Sequence, residues 1–109
     1  MITIKVTRNK GNEIIGFSLN GHAGYSENGK DIVCAAVSAV TNMTIIGLAE
    51  KLKLNIKFER NDGGYLKVEL PEKISSSDMN LAQFLLESLV TEYLDIEANF
   101  GKYVLVNER

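Results

Sequence analysis

The sequence predicts an α+β fold in a single domain, with an antiparallel or mixed sheet and two helices packed against it. Two pairs of alternating apolar and polar segments, each pair joined by a tight turn, indicate β-hairpins. Each pair is followed by a long segment with apolar residues at helical spacing, which begins at a residue that favours a helix N-terminus. The predicted order is ββαββα followed by one or two strands, and hairpins followed by helices are typical of α+β folds. A chain of 109 residues has the size of one domain.

The first hairpin is predicted from residues 2–6 and 13–19, which are separated by a polar turn. Apolar side chains occupy alternate positions in both segments, as in half-buried strands. The residues predicted to face the core are Ile2, Ile4 and Val6 in the first strand, and Ile15, Phe17 and Leu19 in the second.

A helix is predicted from the N-cap Asp31 to about Leu52, because the Asp31 carboxylate can accept the free N–H groups of a first turn. Its apolar arc is wide, which predicts burial against both the sheet and a second element. One side of that arc holds Val33, Ala36, Val37, Val40, Gly47 and Leu48, and Ile32, Ala35, Ala39, Met43 and Ile46 extend it. Four further residues form a narrow stripe at helical spacing: Cys34, Ser38, Thr41 and Asn42.

The second half repeats the hairpin and helix pattern. Strands are predicted over residues 54–59 and 66–70 on either side of the turn at 61–64. Ser75 and Asp78 form a capping box for a second helix that runs to about Leu94. Residues 96–106 are predicted to return to strand, as one strand or as two separated by a turn at residues 101–102.

The composition limits the possible functions. Twelve basic and fourteen acidic residues give a net charge of −2, which disfavours direct nucleic-acid binding because phosphate contacts require a basic surface. One cysteine and one histidine allow neither an internal disulfide nor a structural zinc site, and no cofactor is predicted. The N-terminal residues do not resemble a signal peptide, and no uninterrupted apolar run approaches membrane-spanning length. We therefore expect a cytoplasmic protein without a membrane segment.

The only histidine, His22, and the only cysteine, Cys34, are the candidate catalytic residues. Cys34 lies in the first helical turn, where the helix dipole and free N–H groups stabilise a thiolate, and His22 is the only imidazole that could act as its base. Backbone N–H groups at the same helix start, including that of Cys34, could hold an oxyanion. The alternative is that Cys34 is a small buried hydrophobe and His22 a solvated loop residue.

Other residues of this stretch have two interpretations each. Asp31 could only cap the helix, or could also orient His22 as a third member of a triad. Ser38 could contribute to the site, or could bond to the carbonyl four residues earlier. Tyr25 could stack on an apolar substrate side chain, or could simply pack. The loop glycines could admit and then enclose a substrate, or could belong to an ordinary surface loop. These glycines are Gly21, Gly24 and Gly29.

The segments Gly21-His22-Ala23 and Asp31-Ile32-Val33-Cys34-Ala35-Ala36-Val37-Ser38 strongly resemble the two motifs of the ribosomal-processing cysteine proteases. These small bacterial enzymes remove an N-terminal extension from the large-subunit ribosomal protein twenty-seven. The resemblance extends over the whole chain in length and order of elements, whereas the C-terminal half is similar only in pattern.

The resemblance implies that Cys34 is the nucleophile and His22 the general base. It implies a supporting role for Asp31, a place in the site for Ser38, a homodimer, and no metal or cofactor. The family's substrates are apolar and aromatic near the cleavage point, which would suit a flexible loop bearing Tyr25. The rival hypothesis is a non-catalytic ribosome-associated binding module, in which Cys34 only packs in the core.

Overall fold

The structure is a computed structural model that describes residues 1–27 and 31–108. The order of elements agrees with the predicted one, and a single strand follows the second helix. The elements are β1 (Ile2–Arg8), β2 (Ile14–Asn20), α1 (Ile32–Ile46), β3 (Lys57–Asn61), β4 (Tyr65–Glu69), α2 (Ser76–Asn99) and β5 (Val104–Glu108). Helix α1 continues directly into a π-helical turn over Gly47–Lys51.

The five strands form one mixed sheet in the order β3-β4-β2-β1-β5. β1 and β2 pair as the predicted antiparallel hairpin, and β4 pairs antiparallel with both β2 and β3. β5 instead runs parallel to β1, with Val104 opposite Ile2. The predicted α+β class with two helices on a mixed sheet is confirmed. Because Asn20 at the end of β2 pairs with Tyr65 at the start of β4, the loop after β2 lies beside the β3–β4 turn.

A β-bulge in the first hairpin changes which side chains of β2 enter the core. Thr7 pairs with Gly16 but Arg8 pairs with Ile14, so that Ile15 is the extra residue. Ile14 is fully buried, whereas Ile15 is only half-buried. The prediction that Ile15 faces the core is therefore wrong, because the bulge reverses the alternation on one side of it.

β3 begins at Lys57, later than the predicted start at Leu54. After the π-helical turn, Lys53 adopts a left-handed conformation with a φ of 56°, and the N–H of Leu54 donates to the carbonyl of Leu48 at 3.0 Å. These contacts terminate the helix. They involve residues that the alternating pattern predicts to be strand, so the predicted start of this strand at Leu54 is wrong.

Helix α2 extends to Asn99, beyond the predicted end near Leu94. Tyr93 and Ile96 are both buried at helical spacing, so the inward face continues where a strand was predicted. Residues 101–102 form the turn from α2 into β5, and the N–H of Tyr103 donates to the carbonyl of Phe100 at 2.8 Å. The prediction of a strand from residue 96 is wrong for this reason.

Helix α1 buries a narrower face than predicted. Its buried positions, Val33, Val37, Thr41 and Thr44, together with Leu48, follow one line along the helix. Ile32 and Met43 are 57% and 66% exposed. The predicted burial of the residues that extend the apolar arc is wrong for the isolated chain. These residues form an exposed apolar stripe: Ile32, Ala35, Ala39, Met43 and Ile46.

The segment Ile32–Lys51 is long and apolar enough to cross a membrane, judged by length and composition alone. A helix that packs in a protein core meets the same criterion. Here Val33, Val37 and Leu48 belong to the core that the helices share with the sheet, although only 28% of the most apolar window is buried in this chain.

Candidate active site

A cavity of about 850 Å³ lies between the start of α1, the loop after β2 and the β3–β4 hairpin. His22 and Cys34 both line it, so the structure brings the two candidate catalytic residues to one place. All four residues of the predicted stripe on α1 line it as well: Cys34, Ser38, Thr41 and Asn42. The opposite wall includes Arg60, Asn61, Asp62 and Gly64 of the hairpin.

Cys34 lies in the first turn of α1 and is half-buried. Its Sγ accepts a hydrogen bond from the N–H of Ala23 at 3.3 Å. Ala23 is itself buried, so this donor is fixed in place. A hydrogen bond to sulfur favours the thiolate over the thiol, as does the helix N-terminus. The local structure therefore suits a nucleophilic cysteine.

His22 is the residue directly before that donor, and its side chain is exposed. The preceding N–H, that of Gly21, donates to the carbonyl of Gly64 at 2.9 Å, which extends the β2–β4 pairing by one residue. His22 and Cys34 make no hydrogen bond with each other in this structure. Catalytic hydrogen bonds are often long before substrate binds, so the absence of a hydrogen bond between His22 and Cys34 is compatible with a base and nucleophile pair.

Asp31 is the N-cap of α1, as predicted, and its two carboxylate oxygens have different partners. Oδ1 accepts from the N–H groups of Val33 and Cys34, each at 3.0 Å. Oδ2 accepts from the N–H of Tyr25 at 3.0 Å and that of Ser26 at 3.4 Å. Asp31 thus joins the helix start to the loop after β2, and it makes no hydrogen bond to His22.

The pKa of Asp31 lies below its usual value. Desolvation acts to raise this pKa, but the backbone N–H groups of Cys34, Ser26 and Tyr25, together with the Cys34 side chain, outweigh it by favouring the ionised carboxylate. A carboxyl whose pKa is lower when folded stabilises the fold above its unfolded pKa. That stabilisation is lost as the pH falls through the folded pKa.

Substituting Asp31 should separate its two tasks. Asparagine retains one acceptor oxygen and is itself a good N-cap, whereas alanine retains none. We expect Asp31→Ala to lower Tm more than Asp31→Asn at neutral pH. In both variants Tm should also fall less than in the parent as the pH is lowered, because the variants have no Asp31 carboxylate to protonate. Thermal unfolding followed by circular dichroism, from neutral pH down to below the usual aspartate pKa of 3.8, measures both effects. Equal Tm values for the parent and Asp31→Ala would contradict this account of the cap.

The predicted oxyanion site at the helix start is occupied in this structure. The N–H groups of Val33 and Cys34 already donate to Asp31, so the prediction that the N–H of Cys34 is open to substrate is wrong here. Ser38 lines the cavity one helical turn from Cys34, and its hydroxyl makes no hydrogen bond to the described residues. The bond from Ser38 to the carbonyl four residues earlier is therefore absent, and this hydroxyl is open to the cavity.

Two further residues of the stripe have defined partners. The Thr41 hydroxyl bonds to the Val37 carbonyl at 2.7 Å and to the buried Tyr93 hydroxyl at 2.5 Å. Asn42 accepts from the Arg60 guanidinium at 3.3 Å across the cavity. Thr41 therefore fixes the floor of the cavity to α2, and Asn42 links α1 to the hairpin.

Tyr25 packs edge-on against two aromatic rings near the end of α2. Its ring centroid lies 5.7 Å from that of Phe100 and 5.1 Å from that of Tyr103. Tyr25 therefore packs as the second interpretation predicts, but 42% of the residue remains exposed to solvent. Of the predicted loop glycines, Gly21 and Gly24 line the cavity, and Gly29 lies outside the described residues.

The hairpin wall of the cavity was not predicted from the sequence. Residues 61–64 read as a turn, and nothing local indicates that they meet the loop after β2. Only the pairing of β2 with β4, two strands separated by α1 in the chain, places them there.

Comparison with known proteins gives one consistent family. A family model described as "Cysteine protease Prp" matches residues 1–105. The protein named "Ribosomal processing cysteine protease Prp" from Bacillus subtilis is 33% identical over 104 residues, which cover 92% of this chain and 90% of that protein. The protein of the same name from Staphylococcus aureus strain Mu50 is 31% identical over 112 residues, covering 98% of both.

A solved structure has the same fold. The crystal structure of a ribosomal processing protease Prp from Staphylococcus aureus, in complex with a covalently linked product peptide, superposes with a TM-score of 0.89 and covers all of both chains. Its sequence identity of 24% makes this a comparison of folds alone.

Proposed function

This chain belongs to the family of Prp cysteine proteases, and from that premise we propose that it cleaves peptide bonds with Cys34 as nucleophile and His22 as general base. One observation carries this assignment of roles. The only cysteine and the only histidine line the same cavity, and the residue after the histidine donates a hydrogen bond to the cysteine sulfur.

The proposed reaction has two stages. In the first, His22 takes the proton of the Cys34 thiol, the sulfur attacks the scissile carbonyl, and His22 passes that proton to the leaving amine as the C–N bond breaks, so that a thioester and a free N-terminus result. In the second, His22 removes a proton from water, which attacks the thioester and releases the carboxylate product and the thiol. The open hydroxyl of Ser38 supports a role as a donor to the oxyanion, since the N–H of Cys34 is engaged by Asp31.

The proposed substrate is the large-subunit ribosomal protein twenty-seven bearing an N-terminal extension. The names of the relatives in Bacillus subtilis and Staphylococcus aureus support a ribosomal protein as the class of substrate. The two sequence motifs around His22 and Cys34 support the particular protein through their resemblance to the family. Ribosomal proteins are made and assembled in the cytoplasm, which supports that location for this chain too.

Incubation with the extended ribosomal protein under reducing conditions tests the proposal. We expect one new product whose mass corresponds to loss of an N-terminal peptide, measured by mass spectrometry. A variant of the substrate that lacks the extension is the matched control and should keep its mass. No change in the mass of the extended protein, with active thiol present, would contradict this substrate.

We further propose a homodimer in which the exposed apolar stripe of α1 lies in the interface. The stripe follows helical spacing over four turns and includes Ile32, Met43 and Ile46, which are 57%, 66% and 43% exposed. Exposed apolar patches of this kind are typical of interaction surfaces.

Met43→Glu should shift the dimer to monomer, because it places a charge in a desolvated interface. Sedimentation velocity over a range of concentrations measures the shift. Leu105→Glu is the control, since β5 alternation places Leu105 on the sheet face opposite the buried Val104. A Met43→Glu chain that sediments like the parent would place the interface elsewhere.

A further inference from the structure

The turn of the β3–β4 hairpin lies directly against the imidazole of His22. A Cβ atom built on Gly64 would lie 2.9 Å from Nε2 of His22 and 2.9 Å from the carbonyl oxygen of Gly21. Contacts this short are not made by real side chains, so position 64 has no room for any residue larger than glycine. Nε2 of the His22 ring therefore occupies space that a side chain at position 64 would need.

The backbones of Gly21 and Gly64 are also joined to each other and have unusual conformations. The N–H of Gly21 donates to the carbonyl of Gly64 at 2.9 Å, which ties the residue before the histidine to the same glycine. Gly64 has a φ of +85° and Gly21 a φ of +96°, a region that favours glycine. Gly64 thus accepts a hydrogen bond from the main chain before His22 and leaves free the space that Nε2 of the ring occupies.

We propose that Gly64 is a positioning residue of the active site, which sets the direction in which the His22 imidazole faces Cys34. The proposal rests on the proposed role of His22 as base. His22 is exposed and makes no hydrogen bond to the described residues, so its close approach to Gly64 is the restraint that the proposal invokes. With a side chain at position 64, either the ring would leave its place in the cavity lining or the hairpin would move away from β2.

The chain offers a matched pair of substitutions in one turn. Gly64→Ala adds a methyl group against Nε2 of His22, whereas Gly63→Ala adds the same group where it meets only Oδ1 of Asn61, at 3.3 Å. Gly63 does not line the cavity and has no positive φ. A general effect of adding a methyl group to the turn should appear in both variants. Gly64→Ala alone also strains the backbone at a φ of +85° and meets the Gly21 carbonyl, and Gly64→Asn, which tolerates that φ, separates the backbone strain from displacement of the ring.

Two readouts need no substrate and report on single residues. His22 is the only histidine, so its two carbon-bound ring protons give assignable NMR signals, and Cys34 is the only cysteine, so alkylation by iodoacetamide reports on it alone. In the parent we expect a nuclear Overhauser effect between the ring protons of His22 and the α protons of Gly64. In Gly64→Ala we expect the ring signals to shift, and alkylation of Cys34 near neutral pH to slow by about tenfold.

Peptide cleavage by Gly64→Ala should fall by about 10- to 100-fold. The change should be in kcat and not in KM, because the base is misplaced while the rest of the cavity remains. Gly63→Ala should match the parent in all of these measurements. Thermal unfolding of each variant identifies any loss of fold. If Gly64→Ala does not fold, Gly64→Asn repeats the test, because asparagine tolerates a left-handed backbone but still carries a Cβ.

The proposal is overturned if the parent shows no Overhauser effect between His22 and Gly64. It is also overturned if a folded Gly64 variant keeps the parent's ring signals and alkylation rate. Failure of the proposed function has a different signature, since a parent chain that cleaves no peptide could still show both substrate-independent effects.

Discussion

Peptide cleavage by the Cys34→Ala variant should fall by about 10⁴-fold or more. Alanine has no nucleophile, and the chain contains no second cysteine that could replace it. The fold should survive, because Cys34 is only half-buried and the interactions that its sulfur loses, with the Ala23 N–H and the Asp31 carboxylate, lie at part-buried positions. Initial rates on the extended ribosomal protein and Tm measure the two expectations.

Cys34→Ser is the informative companion to this variant. Serine keeps a hydrogen-bond acceptor for the Ala23 N–H and nearly the same shape, yet its hydroxyl ionises far less readily than a thiol. We expect it to be inactive as well, which would assign the loss to sulfur chemistry and not to packing. Undiminished cleavage by Cys34→Ala would remove Cys34 from the mechanism.

Replacing His22 with glutamine should lower kcat/KM by about 10³- to 10⁴-fold, at the upper end of what general acid–base catalysis contributes. Glutamine has similar reach but cannot accept and return a proton. Alkylation of Cys34 by iodoacetamide should also slow near neutral pH and recover at alkaline pH, where hydroxide ionises the thiol without help. Mass measurement of the alkylated chain over a pH series records this profile.

Lys5→Gln is a suitable control for the histidine substitution, because Lys5 is exposed and alternates with the core-facing positions of β1. It should leave cleavage and alkylation unchanged. A His22→Gln chain with the parent's alkylation profile would mean that the thiol is activated by the helix start and the Ala23 N–H alone.

The two motifs around His22 and Cys34 predicted the cysteine protease class, which the family match confirms, whereas the roles of the two residues stay predictions. Asp31 caps α1 through backbone groups within three residues, and Cys34 follows in the first turn. Family membership then favours a protease over the binding module that the residues alone could not exclude.

The parts that local pattern could not predict depend on pairing between distant segments. The bulge at Ile15 depends on how β1 meets β2, and the continuation of α2 through Ile96 depends on the core beneath it. The hairpin wall of the cavity depends on the pairing of β2 with β4 across the whole of α1. No window of sequence contains these contacts, so they appear only when the chain is folded.

The parallel pairing of β5 with β1 has a consequence for the order of folding. Every element that lines the cavity lies within the first 66 residues, whereas β1 finds its second neighbour only when Val104 and the residues after it arrive. Closing a loop of that length is entropically costly and slow relative to forming the hairpins. Until β5 docks, the backbone edge of β1 is unpaired, and unfinished chains can pair with one another at such an edge. We therefore expect late docking of β5 to affect aggregation more than it affects assembly of the site.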